Sequence, residues 1–236
     1  MKTTSTNGCA IGSGLHRNAD NIIINGGNVT AIASNRFGIG APGNGSLGRV
    51  VINGGNIYAT GGEYGGAIGG ASGGTGEIII NGGTLNLEHD SNYSGDDAVI
   101  GNGTKSVKVT GGNIRVYSKM GIGIGNYNLL SFELKKEGGS INFQDRICST
   151  PVDLSNGVFY LAKFKIGELA KETKITKVET NNNVEYEANE LHTTRDGHLF
   201  MLLPQGEVTV SVTANNVTYT GTVIVTPENT EIFKLN

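Results

Sequence analysis

The stretch Asn21-Ile-Ile-Ile-Asn-Gly-Gly-Asn28 decides the fold, because it recurs along the first part of the chain. Its gapless counterparts are Arg49-Val-Val-Ile-Asn-Gly-Gly-Asn56, Glu77-Ile-Ile-Ile-Asn-Gly-Gly-Thr84 and Ser106-Val-Lys-Val-Thr-Gly-Gly-Asn113, with a degenerate fifth copy at 132–140. The first glycine of each pair follows the previous one by 28, 28, 29 and 27 residues. A period of this length is typical of architectures built from stacked repeats.

A second motif, an isoleucine followed by glycine, has the same mean period and occurs at Ile11, Ile39, Ile68, Ile100 and Ile124. Apolar residues within each unit alternate with a period of two, which is typical of strands and not of helices. Paired glycines supply the positive φ that a tight corner between strands needs. The sequence therefore predicts an all-β fold in which residues 1–148 form a right-handed parallel β-helix of about five 28-residue coils.

Stacking the coils in register turns each position of the repeat into a column of side chains. The interior columns are predicted to start at Ile22, Ile24, Val29 and Ile11 and to continue through the equivalent positions of later coils. A ladder of side-chain amides, of the kind that stabilises stacked strands, is expected at the corner. Its members are Asn25, Asn53 and Asn81.

The two cysteines, Cys9 and Cys148, lie at opposite ends of the repeats. Five coils at ~4.8 Å place them roughly 24 Å apart along the axis. A disulfide requires Cα atoms within ~7 Å. Both thiols are therefore predicted to be free.

Residues 151–236 have less glycine and more charge, and they contain six or seven short strand-like runs separated by turn residues. This pattern predicts a small antiparallel β-sandwich, prealbumin-like or Ig-like, which would cap the exposed end of the β-helix. Within it, Leu202-Leu-Pro-Gln-Gly-Glu-Val-Thr-Val-Ser-Val212 resembles the LPxGxYTV hairpin of carboxypeptidase-regulatory-like domains.

Composition excludes several classes of function. The net charge is −3 and only 17% of the residues are charged, so no basic surface is expected to hold nucleic acid. No apolar run reaches the ~18 residues of a transmembrane segment. The N-terminus lacks the apolar region of a signal peptide, and the first motif already belongs to a coil, so we expect a fragment of a larger protein.

The outward face of the strand after the glycine corner is the predicted ligand-binding surface. Aromatic and planar polar side chains along a flat sheet suit stacking against sugar rings and hydrogen bonding to hydroxyl groups. The alternative is an ordinary mixed surface. The candidate residues are Tyr58, Thr60, Asn86, Arg115 and Tyr117, with Tyr64, Tyr93 and Tyr127 in adjoining loops.

The acidic loop 87–97 is a candidate calcium site, because it lies in the longest repeat and carboxylate oxygens are the ligands that Ca²⁺ prefers. The alternative is a solvated loop, and no cofactor besides calcium is suggested. The candidate ligands are Glu88, Asp90, Asp96 and Asp97, with His89 nearby.

The pattern I-x-I-N-G-G-x-V-x-A followed by (G/A)-I-G resembles the repeats of secreted and cell-surface β-helix proteins of anaerobic, often gut, bacteria, some of which are described as carbohydrate-binding or adhesin-like. The resemblance covers residues 8–148 and implies an extracellular or cell-surface module that binds polysaccharide or a surface glycan without catalysis. Two alternatives stay open. One is a polysaccharide lyase or glycoside hydrolase, by analogy of fold alone, and the other is a structural spacer.

Overall fold

The fold is taken from a computed structural model, which describes residues 1–70, 75–89, 98–119, 121–126, 131–144, 147–152, 154–182, 184–186, 188, 191–194, 196–228 and 231–236. Every regular element of these residues is a strand. The protein forms a parallel β-solenoid of about four turns, followed by a small antiparallel sheet. The predicted all-β class and the parallel β-helix are confirmed, whereas right-handedness and the count of five coils stay predictions.

The solenoid strands are Lys2–Ser5 (β1), Ile11–Gly12 (β2), Ala19–Ile24 (β3), Asn28–Ala33 (β4), Ile39–Ala41 (β5), Leu47–Ile52 (β6), Asn56–Gly61 (β7), Ile68–Gly70 (β8), Gly76–Ile80 (β9), Thr84–His89 (β10), Ala98–Ile100 (β11), Thr104–Val109 (β12), Asn113–Ser118 (β13), Ile122–Ile124 (β14), Glu133–Lys136 (β15) and Ser140–Gln144 (β16). The later strands are Cys148–Ser149 (β17), Gly157–Ile166 (β18), Ile175–Thr180 (β19), His198–Pro204 (β20), Gly206–Ala214 (β21), Val217–Val225 (β22) and Ile232–Leu235 (β23).

Three parallel sheets form the walls of the solenoid, and each complete coil contributes one strand to each wall. Sheet A has the order β1-β4-β7-β10-β13-β16, and sheet B has the order β14-β11-β8-β5-β2. Sheet C runs β3-β6-β9-β12-β15 and then continues into β18, β20 and β17. Such a stack buries the apolar side of every unit against its neighbours, which one unit alone could not do.

The register confirms the predicted columns. In sheet C, Val50 lies opposite Ile22 and Ile78, and Ile78 also lies opposite Val107. The side chains of Val50, Ile78 and Val107 are completely buried. Ile22, in the first coil, is only partly buried because no earlier strand of sheet C covers it.

The corner between sheets C and A holds the predicted amide ladder. Asn53 Nδ2 donates to Asn25 Oδ1 at 2.7 Å, and Asn81 Nδ2 donates to Asn53 Oδ1 at 2.8 Å. The second glycine of the corner takes the left-handed conformation, as Gly55 does with φ of 104°. A Cβ added to Gly55 would lie 2.5 Å from the carbonyl oxygen of Gly27, so the corner needs glycine for both conformation and space.

The C-terminal strands cover one end of the solenoid. Strand β18 pairs antiparallel with β15 and with β20, so sheet C runs through the predicted boundary at 148–151 without a break. The inward side chains Leu161, Phe200 and Leu202 join the solenoid core. These side chains cover the apolar core at the end of the solenoid, as the predicted cap requires. The division into domains 1–148 and 151–236 stays a prediction.

The opposite side of β18 and β20 belongs to a second hydrophobic core. Phe164 and Met201 on this side pack with Val210 and Val223. The latter two come from the antiparallel sheet β19-β21-β22, which we call sheet D. Strands β18 and β20 thus contribute alternate side chains to two cores.

The predicted LPxGxYTV-type hairpin is wrong. The segment before Pro204 is β20, which pairs with β18 and β17, and the segment after Gly206 is β21, which pairs with β19 and β22. The Pro-Gln-Gly turn therefore carries the backbone from sheet C to sheet D. The hairpin was expected from the resemblance of this short motif, which identifies strand and turn residues but not the sheet to which each strand belongs.

Cys9 and Cys148 form no disulfide, as predicted: Cys9 is partly exposed and Cys148 is buried. In the described part of the protein, no helix has the length and apolar character needed to cross a membrane.

Candidate functional site

The five predicted ligand-binding residues lie on one outward face, which β7, β10 and β13 of sheet A form together. Alternation directs Ile57, Leu85 and Ile114 into the core, where each is at most 2% exposed. Their neighbours along the strands therefore face outward. We call this surface the sheet A face, and its members are Tyr58, Thr60, Asn86, Glu88, Arg115 and Tyr117.

The parallel register arranges these side chains in two rows across the strands. In the first row, Asn86 lies between Tyr58 and Arg115. In the second row, Glu88 lies between Thr60 and Tyr117. The sequence alignment predicted both rows, because gapless repeats leave no freedom of register between these three strands.

Hydrogen bonds join the two rows diagonally. Tyr58 Oη donates to Glu88 Oε2 at 3.0 Å. Arg115 Nη2 donates to Gln144 Oε1 of β16 at 3.2 Å, with the same diagonal offset. These bonds hold the Tyr58 ring and the Arg115 guanidinium in place, so part of the face is ordered before any ligand arrives.

Gln144 is the contact residue that sequence reasoning missed. It lies opposite Tyr117 in the degenerate fifth repeat, and Asn142 lies opposite Arg115. A signal was available, because Ile141 occupies the same position of the repeat as Val29 and therefore belongs to a predicted interior column. Its inward direction means that Asn142 faces outward. Both polar residues extend the sheet A face to its last strand.

The calcium prediction stays untested, because Asp90, Asp96 and Asp97 lie outside the described residues. Glu88 accepts the Tyr58 hydrogen bond and belongs to the sheet A face. The described residues contain no cluster of three His, Cys, Asp or Glu side chains that could hold a metal.

His89 does not belong to the acidic loop surface. As the residue after Glu88 it points to the opposite side of β10, where it is completely buried. Its Nε2 lies 3.0 Å from the carbonyl oxygen of Gly62. This histidine therefore has a structural contact inside the solenoid and is not placed to bind a ligand on the sheet A face.

Of the three tyrosines predicted in adjoining loops, the described residues include Tyr64. This residue is 43% exposed, and the Arg36 guanidinium carbon lies 5.1 Å from its ring centroid. This cation–π contact joins the loop after β4 to the loop after β7. Tyr93 and Tyr127 lie outside the described residues.

Two open grooves lie away from the sheet A face and offer alternative positions for a ligand. One, of about 680 Å³, runs over the outer side of sheet C and includes Lys105, Glu133 and Pro227. The other, of about 610 Å³, lies beside the edge strand β19. Their residues serve as controls in a test of the sheet A face.

Comparisons with protein-family models, with curated proteins and with solved structures find no match to this protein. The resemblance to bacterial surface β-helix proteins stays a prediction.

Proposed function

We propose that the sheet A face binds an extended polysaccharide or surface glycan without catalysing a reaction, as part of an extracellular or cell-surface protein. The observation that carries this proposal is the placement of Glu88 between two tyrosines. Glu88 accepts a hydrogen bond from Tyr58 and lies opposite Tyr117 on the neighbouring strand. An aromatic, a carboxylate and a second aromatic thus follow one another across three strands.

This arrangement matches the chemistry of sugars. A pyranose ring has an apolar face of C–H groups, which stacks on an aromatic ring, and hydroxyl groups at its edge, which bond to carboxylates and amides. Tyr58 and Tyr117 are two strands apart and two residues offset, which puts their Cα atoms about 12 Å from each other. That distance is longer than one sugar ring, so it favours the binding of an oligomer of several sugar units.

The rigidity of the face also favours binding. Each strand of the face is hydrogen-bonded on both sides, since β7, β10 and β13 all have two neighbours in sheet A. A backbone fixed in this way loses little conformational entropy when a ligand docks. A flat surface with few mobile elements suits recognition of a polymer better than enclosure of a small substrate.

The test begins with a glycan array and continues with calorimetric titration of the polysaccharide that binds. We expect Tyr58→Ala and Tyr117→Ala each to weaken binding by about two- to twelvefold, the equivalent of the ~0.5–1.5 kcal/mol that an aromatic contact contributes. Tyr58→Phe keeps the ring and should retain most of the affinity. Lys105→Ala, in the sheet C groove, should leave binding unchanged.

Each alternative has its own outcome in these experiments. Loss of binding in Lys105→Ala with normal binding in the tyrosine variants would move the site to the sheet C groove. Release of unsaturated or reducing sugar ends from a bound polysaccharide would favour the lyase or hydrolase. A protein that binds no glycan on the array would be better explained as a structural spacer.

A further inference from the structure

Of the residues that define the sheet A face, only Arg115 carries a positive charge. Its side chain is exposed and lies between Asn86 and Asn142 in the first row. From the surroundings of this guanidinium we infer that the glycan bound by the sheet A face is acidic, and that Arg115 binds the carboxylate of a uronic acid unit. This inference rests on the proposed function and names the class of glycan.

The charge of Arg115 is not neutralised within the described part of the protein, where it forms no ion pair. The carboxylate of Glu88 lies on the neighbouring strand, diagonal to Arg115 and at the same offset from Tyr58. It accepts a hydrogen bond from Tyr58 at 3.0 Å. By contrast, the exposed Arg49 of sheet C has its Nε 3.6 Å from Glu77 Oε2. The positive charge of the sheet A face is therefore available to a ligand.

Gln144 holds the Arg115 guanidinium while leaving most of its donors unused. Arg115 Nη2 donates to Gln144 Oε1, a neutral acceptor, at 3.2 Å. A guanidinium has five N–H donors, so four remain for a ligand. Their rigid, planar fork matches the two oxygens of a carboxylate. Because the side chain is already held, it loses less conformational entropy on binding than a free arginine would.

Tyr117 lies where the sugar that carries the carboxylate would stack. It is two residues after Arg115 in β13 and faces the same side, so their Cα atoms are about 6.6 Å apart. In a uronic acid the carboxylate is attached at the edge of the pyranose ring, and the C–H face of that ring stacks on tyrosine. One uronic acid unit can therefore contact both side chains.

Glu88 determines the chemistry of the next sugar unit. Its carboxylate repels a second negative charge, and this repulsion grows as the distance shortens. A glycan that places one carboxylate at Arg115 should therefore place a neutral, hydroxyl-bearing unit at Glu88. Polysaccharides in which uronic acid and neutral units alternate meet this requirement.

The experiment is calorimetric titration of the whole protein with acidic polysaccharides and with their carboxyl-reduced forms, in which each carboxylate has become a neutral hydroxymethyl group. The probes are hyaluronan, in which uronic acid and neutral units alternate, and alginate, in which every unit is acidic. Reduction of hyaluronan should weaken binding at least about threefold, which is within the range of an exposed ion pair. Hyaluronan should also bind more tightly than alginate.

Each other outcome of this titration overturns a stated part of the account. Equal or tighter binding of the reduced polymers, or binding of neutral polysaccharides alone on the glycan array, would overturn the inference and leave the proposed function intact. Equal or tighter binding of alginate would contradict the neutral unit at Glu88. A protein that binds no glycan of either kind would overturn the proposed function as well.

A matched pair of variants tests the role of Arg115 itself. Arg115→Gln should weaken the binding of hyaluronan at least about threefold and leave that of reduced hyaluronan unchanged, because the partner of the guanidinium is then absent. Arg49→Gln removes an exposed arginine of sheet C and should change neither affinity. Equal losses for both forms in Arg115→Gln would overturn the assignment, since an arginine with a merely structural role cannot distinguish them.

Dextran sulfate and dextran separate a sulfate ester from a carboxylate as the bound group. The assigned carboxylate predicts that Arg115→Gln affects hyaluronan at least as strongly as dextran sulfate. A loss confined to dextran sulfate would assign Arg115 to a sulfate ester and overturn the uronic acid.

Discussion

Replacing Ile78 by alanine should destabilise the protein by about 3 kcal/mol, because three buried carbon atoms are lost at ~0.8 kcal/mol each and a cavity forms. Ile78 is fully buried in the column between Val50 and Val107. The neighbouring Ile79 has the same side chain on the same strand but faces outward and is partly exposed. Ile79→Ala should therefore cost less than about 1 kcal/mol.

The assay is urea unfolding of both variants, followed by far-UV circular dichroism. The midpoint should fall clearly for Ile78→Ala and little for Ile79→Ala, with similar slopes for both transitions. Because a register slip of one residue exchanges the two faces of a strand, a larger loss from Ile79→Ala would refute the assignment. Equal losses would show that sheet C is covered on both sides.

Three further predictions concern the corner and the thiol. Gly55→Ala should lower the free energy of unfolding by about 1–3 kcal/mol, because alanine is strained at positive φ. Gly54→Ala should lower it by less than about 1 kcal/mol, since the nearest atom to its added Cβ is 3.8 Å away. Chemical unfolding of both variants measures the difference. Asn53→Ala removes two ladder bonds and should lower the free energy of unfolding by about 1–2 kcal/mol in the same assay. Burial raises the pKa of the Cys9 thiol to about 12, so little reactive thiolate is present at a pH near the ordinary thiol pKa of ~8.5. At that pH Cys9 should react slowly with a thiol reagent in the folded protein and rapidly in denaturant.

The sequence predicted most of the solenoid because its repeats align without gaps. One shared register places Ile22, Val50 and Ile78 in a column, and the same register puts Tyr58 beside Asn86. Period-two alternation then decides which residues face inward. These are local and repetitive signals, so a single sequence is enough to identify them.

Features that depend on long-range pairing could not be predicted in this way. Nothing in the alternation of Val158–Ile166 indicates that β18 extends sheet C, or that Leu161 and Phe164 enter different cores. The Tyr58–Glu88 bond was also missed, because it joins residues that are diagonal and not opposite. Such contacts depend on side-chain length and direction, which the column pattern does not specify.

The register of sheet A is the central claim, since both the solenoid and the sheet A face depend on it. The most direct measurement is disulfide formation in two double-cysteine variants, mapped by mass spectrometry. Thr60 lies opposite Glu88, so Thr60→Cys/Glu88→Cys has Cα atoms about 4.8 Å apart and should oxidise readily. Thr60→Cys/Asn86→Cys is offset by two residues, with Cα atoms about 8 Å apart, and should stay reduced. Preferential cross-linking of the offset pair would contradict the account.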